Sequence, residues 1–254
     1  VAARKYFVGD VFTTNGGSKA VITDVNTGKK QYVKIKWLDE FEHEMLVCST
    51  NLSNGSVQNP YEKTISNVGY LGAGYNKTGG RKQTLEYATW YSMFNRSYSE
   101  AYQTKKPTYD ECEVSSEWHC FDDFLRWTET AIGWGLDSYQ MDKDLLHKGN
   151  KEYCPEFCVM LPRKLNMLIV NRVGGRGEYP IGVHKEAKRN QYTAQFKEFD
   201  GAKKLKRFWT VEEAFNYYKT NKERVVKEAA EIYKDQIDPR AYQALMSWEI
   251  LIDD

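Results

Sequence analysis

No run of about twenty apolar residues occurs in the 254-residue chain, so a membrane-spanning helix is not expected, nor is a membrane as partner. The opening stretch Val1-Ala2-Ala3-Arg4-Lys5-Tyr6-Phe7 lacks the apolar core of a secretory signal, which makes the cytoplasm the expected compartment. Paired Cys-x-x-Cys spacing is missing too. The five cysteines, Cys48, Cys112, Cys120, Cys154 and Cys158, are odd in number and show no zinc-ribbon spacing, so reduced, mostly buried thiols are expected rather than zinc. A spaced phosphate-binding or dinucleotide fingerprint is absent as well. The Gly- and Tyr-dense stretch from Asn67 to Arg81 therefore reads either as a linker across the surface or as backbone able to approach phosphates closely.

Net charge is also scarce, at +1, but it is unevenly spread. Between Arg163 and Trp209 twelve basic residues face four acidic ones, an excess of eight. That local excess is the footprint of a phosphate-facing surface.

Residues from about Tyr6 to Tyr61 alternate apolar and polar side chains between Asn/Gly turns at Asn15-Gly16-Gly17-Ser18 and Asn26-Thr27-Gly28-Lys29. This rhythm predicts a small antiparallel β-barrel. A helix is expected from about Thr84, with Leu85, Ala88, Trp90, Tyr91, Met93 and Phe94 supplying its apolar faces. A second is expected over Trp118–Thr130, where Trp118, Phe121, Phe124 and Trp127 read as packing residues.

The stretch from Met141 to Asn166 predicts a β-hairpin that enters a helix at Pro162. Asp142 closes the first strand, Gly149-Asn150 sits in the loop, and Asn166 lies one turn into the helix. Two such oxygen donors suit a hard divalent cation. With the Trp118-x-x-Phe121-x-x-Phe124 helix before it, and Asp142-Lys143-Asp144, Gly149-Asn150, Tyr153-Cys154-Pro155 and Asn166 within it, the segment resembles the phage-type branch of the HNH (ββα-metal) homing endonucleases. The resemblance implies Mg²⁺ or Mn²⁺ on Asp142 and Asn166, with Asp144 as a further ligand and Asn150 fixing the loop. It also implies metal-dependent phosphodiester cleavage of DNA. One position departs from the pattern. Where the family places a histidine as general base, this chain has Lys143, an ammonium that is a poor proton acceptor near neutral pH and would contact phosphate instead. His147, one hairpin step away, is either a substitute base or an exposed loop histidine without a role.

Further on, Gly182-Val183-His184-Lys185, Gln191–Lys197 and Lys204–Phe208 read as three strands. They lead into a helix whose start carries a Thr-x-x-Glu capping box, Thr210 to Glu213. Tyr192-x-Ala194-x-Phe196, Phe208-x-Thr210-x-x-Glu213-Ala214 and Tyr217-Tyr218 give this part a resemblance to the APETALA-type DNA-binding domain. That resemblance implies a sheet lying in the major groove of double-stranded DNA. The residues it implies as contacts are Arg172, Arg176, Lys185, Lys188, Arg189, Gln191, Thr193, Gln195 and Lys197.

The expected architecture is α+β in four parts. They are a β-barrel-like module over 1–62, a Gly/Tyr-rich linker over 63–83, an HNH-like ββα domain with helical preamble over 84–170, and an APETALA-like sheet with C-terminal helices over 171–254. The expected function is DNA binding with metal-dependent nicking or cleavage. The alternative is an inactive nuclease-derived module that binds nucleic acid or a host protein. Self-association through Tyr242, Leu245, Met246 and Trp248 is a further reading. A phage origin, implied by resemblance alone, would place the protein in the host cytoplasm.

Overall fold

The computed structural model describes residues 6–28, 31–74, 78–79, 82–170, 178–186 and 189–253. It is α+β, with several small sheets, and divides into two compact units. One comprises Val1–Thr104 with Ser116–Leu125, the other Lys105–Ser115 with Arg126–Asp254. None of the described helices is long and apolar enough to cross a membrane.

In the first unit β1 (Val11–Thr13), β2 (Lys19–Asp24), β3 (Tyr32–Trp37) and β4 (Glu44–Cys48) form an antiparallel meander in chain order. Alternation sets its two faces. In β3, Val33, Ile35 and Trp37 are buried while Tyr32, Lys34 and Lys36 point the other way. Ala20, Ile22, Val47, Leu52 from α1 (Ser49–Ser53) and Val57 complete that core. The expected barrel is corrected here to an open sheet, because β1 and β4 do not pair and the short α1 segment closes the apolar face instead.

The Gly/Tyr-rich stretch begins firmly anchored in this unit. The Tyr70 N–H donates to the His119 carbonyl and the Phe121 N–H donates to Tyr70, each at 2.9 Å. Near the end of this stretch β5 (Thr78–Gly79) pairs with β6 (Lys82–Gln83), and α2 (Leu85–Tyr98) follows its N-cap Thr84, whose hydroxyl accepts the Tyr87 N–H. Trp90, Met93 and Phe94 on α2 are fully buried. Trp90 packs on Phe121, and its Nε1 donates to the Trp118 carbonyl at 2.8 Å. The aromatic spacing thus builds a core, which α3 (Glu100–Lys105) follows in the chain.

The second unit holds β7 (Glu113–Val114), parallel to β9 (Glu152–Tyr153), and β8 (Tyr139–Asp142), antiparallel to β10 (Val159–Pro162). The helix α4 (Phe121–Thr130) precedes β8 in the chain, and α5 (Arg163–Ile169) continues directly from β10, with Pro162 as its N-cap. Strands β11 (Val183–Glu186), β12 (Gln191–Lys197) and β13 (Lys203–Phe208) form a sheet under the long α6 (Val211–Tyr233). The capping box is complete. Thr210 accepts the Glu213 N–H and Glu213 accepts the Thr210 N–H, an arrangement that contributes about 1 kcal/mol. Asp238 caps α7 (Pro239–Met246), which buries Ala241 and Leu245 against Val226, Ala229 and Ala230 of α6 and Leu161 and Leu165 of the hairpin-helix.

Candidate functional site

The hairpin register pairs Asp142 with Val159 and Tyr139 with Pro162, so α5 starts at the far end of the two-stranded ladder. Between the strands runs a loop closed by Asn150. Its side-chain amide donates to the carbonyls of Lys143 (2.8 Å) and Glu152 (2.6 Å), and its Oδ1 accepts the Glu152 N–H at 3.1 Å. Asn150 is 8% exposed and all three bonds are to backbone. It is therefore a loop-fixing residue rather than one available to a substrate.

Lys143 is buried as well, at 7% exposure. Its Nζ donates to Asp144 Oδ1 at 2.6 Å and to the Asn150 carbonyl at 2.5 Å, and lies 5.8 Å from the centre of the Tyr153 ring. The ammonium is turned into the loop. His147 is exposed and stacks on Phe157 with ring centres 5.7 Å apart, while its carbonyl accepts the Asn150 N–H.

Asp142 Oδ1 accepts two backbone N–H groups, from Asp144 at 2.9 Å and Leu145 at 2.8 Å. Burial nevertheless pushes the Asp142 carboxyl above the usual carboxylate range, outweighing those two donors. Asn166, on the first turn of α5, is 9% exposed and its Oδ1 has no hydrogen-bond partner. A buried amide oxygen without a donor costs free energy unless something fills that role. The Asn166 amide oxygen on α5 and the Asp142 carboxylate at the end of β8 are each of the oxygen type that a hard cation takes. Among the described residues no group of three or more His, Cys, Asp or Glu side chains is arranged to hold a metal ion. None of the five cysteines is in a disulfide, and burial pushes the thiols of Cys112, Cys120 and Cys158 above the usual thiol range.

The C-terminal sheet sorts the DNA-contact candidates by face. Val183, Tyr192, Ala194, Phe196 and Phe208 belong to the core shared with Ala214, Phe215 and Tyr218 of α6. Residues paired opposite one another share a face, so His184, Glu186, Gln191, Thr193, Gln195, Lys197, Lys203, Leu205 and Arg207 lie on the other. Lys185 is the exception among the candidates. It pairs with Tyr192 and lies over that ring, on the helix side. Arg189 is exposed in the turn before β12. Arg172, Arg176 and Lys188 lie outside the described residues.

Lys203 and Arg207, counted in the basic excess but not among the expected contacts, share this outward face, and Trp209 is 70% exposed just beyond β13. Alternation carried across the Asp200-Gly201 turn would have found the first two. Comparison of the chain with protein-family models, curated proteins and solved structures returns no match.

Proposed function

We propose that the protein binds double-stranded DNA through the outward face of the β11–β13 sheet, on a chain whose hairpin-helix is a nuclease scaffold with its general-base position closed. The observation that carries this reading is the exposed face itself. It joins the cations Lys197, Lys203 and Arg207 to the hydrogen-bonding side chains Gln191 and Gln195, on a rigid sheet backed by α6. Cations neutralise phosphates, and amide side chains read base edges in a groove wide enough for a β-ribbon.

Lys143 supports the second half of the reading. An ammonium that donates to Asp144 and Asn150 from inside the loop has no lone pair to offer a water molecule. Metal-dependent nicking is the second reading, favoured by the orphaned Asn166 Oδ1 and the desolvated Asp142. A divalent ion there would be held by Asp142 and Asn166, with Asp144 within the same loop, and would stabilise developing phosphate charge. Asn150 would keep the loop closed around it, and the base would be His147 or a residue outside the hairpin.

The test is incubation with supercoiled plasmid in Mg²⁺, Mn²⁺ or chelator, beside gel shifts at two salt concentrations. Salt-sensitive binding without nicking is the expected result. The double variant Lys197→Ala plus Lys203→Ala should bind more weakly and lower the salt slope by about 2. Nicking lost in Asp142→Ala would establish the enzyme, and absence of binding at both salts would end the DNA reading.

A further inference from the structure

One arrangement on the outward face has no use on a surface that only attracts phosphates. Thr193 on β12 pairs with Arg207 on β13, and Glu186 on β11, paired with Gln191 on the same face, reaches both diagonally. The Thr193 hydroxyl donates to Glu186 Oε1 at 2.9 Å, and Arg207 Nε donates to the same oxygen at 2.8 Å. Thr193 is only 3% exposed although it points outward, because the side chains that cross it cover it. The contacts from Arg207 and Thr193 hold the Glu186 carboxyl below the usual carboxylate range, so it is charged at neutral pH. A carboxylate among Lys197, Lys203 and Arg207 weakens attraction for a phosphate backbone. What it does instead is fix a guanidinium by its Nε edge. Both Nη groups of Arg207 are left without a hydrogen-bond partner among the described residues, on a side chain that is 53% exposed.

We propose that Arg207 is the base-reading residue of this face, its two Nη groups donating to O6 and N7 of a guanine in the major groove. Glu186 and Thr193 are its positioning residues. The inference rests on the reading of the sheet as a DNA-binding face. A planar fork held in place loses little freedom on binding and matches the paired acceptors of guanine, which an ammonium does not.

The full-length protein is incubated with duplexes of randomised sequence, and the bound fraction is recovered and sequenced. The wild type is compared with Arg207→Lys, Glu186→Gln and the control Lys203→Ala, after melting curves establish that each variant is folded. The wild type should enrich guanine at a fixed position. Arg207→Lys, which keeps the charge and loses the fork, should reduce that preference about five- to 150-fold. Its binding to random duplex should stay within about twofold, since the phosphate term is unchanged. Glu186→Gln should weaken the guanine preference and tighten binding to random duplex, because a negative charge leaves the face; a merely structural role would not produce this opposite pair of effects. Lys203→Ala should weaken binding to all sequences alike. An undiminished guanine preference in Arg207→Lys overturns the proposal, with Glu186→Gln as the independent arm should the lysine variant unfold. A wild type that binds duplex DNA without preference overturns it too, and leaves the DNA reading standing. A wild type that does not bind removes that reading itself.

Discussion

Lys143 and Asn150 clasp each other across the hairpin loop: the lysine ammonium donates to the Asn150 carbonyl at 2.5 Å, and the Asn150 amide donates back to the Lys143 carbonyl at 2.8 Å. Both residues are buried, so each bond replaces one that water would otherwise make. The lysine thus holds the loop from within. Lys143→Met, similar in length but without the donor, leaves the Asn150 carbonyl unsatisfied and is expected to cost about 1–3 kcal/mol. Asn150→Ala removes three bonds and is expected to cost about 2–4 kcal/mol. Because both act on one loop, the double variant should lose less than the sum, by on the order of 1 kcal/mol. Urea denaturation of the four proteins measures the cycle, and strict additivity would show that the two residues are not coupled.

Asp142 gives a prediction with a definite sign. Its carboxyl titrates higher in the folded than in the unfolded state, so the folded chain binds more protons in that window. Its contribution to stability therefore declines as pH rises from the ordinary carboxylate range through the raised folded value, and the penalty is complete above it. Asp142→Asn keeps an oxygen to accept the Asp144 and Leu145 N–H groups and removes the charge. At about pH 7 the variant should melt no lower than the wild type, and the difference should shrink in acid. On the second, metal-dependent reading, added Mg²⁺ should raise the wild-type melting temperature and leave Asp142→Asn unmoved, and no shift in the wild type would count against that reading. A variant that melts well below the wild type at neutral pH would contradict this account of the carboxylate.

How much of this was legible in the sequence depended on whether local chemistry or pairing decided the matter. The hairpin, the helix at Pro162, the three C-terminal strands and the Thr210–Glu213 box are local patterns, and they stand where the residues predict them. The fate of β1 and β4 is not local. Alternation reports two faces per strand but not whether the outer strands meet, and here they do not. The face that Lys185 takes is not local either. A basic residue in a basic strand looks like a contact until the register with Tyr192 assigns it to the helix side. Lys143 was legible as an odd residue at a key position. Its inward turn was not, because that depends on the carbonyl which Asn150 presents seven residues later.

Lys222, on the same helical stripe as Tyr218 and Val225, is a cost built into α6. Burial lowers its ammonium to about 8, and among the described residues no acidic partner opposes the shift. In the unfolded chain the amine keeps its proton to higher pH, so stability should rise between pH 8 and about 10 and be fully penalised below. Lys222→Met keeps the apolar stem and removes the charge. The variant is expected to be more stable than the wild type by on the order of 1–3 kcal/mol at neutral pH, with the gain fading in alkali. Thermal melts across that range read the sign directly. An equal gain at all pH values would place the effect in packing rather than charge.

The last prediction concerns how closely α6 approaches its sheet. Gly182 sits just before β11 with φ of +77°, and a Cβ placed on it would lie 2.1 Å from a ring carbon of Tyr218. Two penalties then coincide. An alanine would strain the backbone in a region that side chains rarely adopt, and it would push the buried Tyr218 away from Val183 and Ala194. Gly182→Ala should therefore cost about 2–4 kcal/mol, more than either effect alone. Pairing it with Tyr218→Ala separates them, because removing the ring relieves the clash and leaves the backbone strain. In that background Gly182→Ala should cost only about 1–2 kcal/mol. Urea denaturation of the four proteins supplies the numbers. If the glycine costs the same with and without the ring, the close packing of α6 on β11 is not what fixes this residue as glycine.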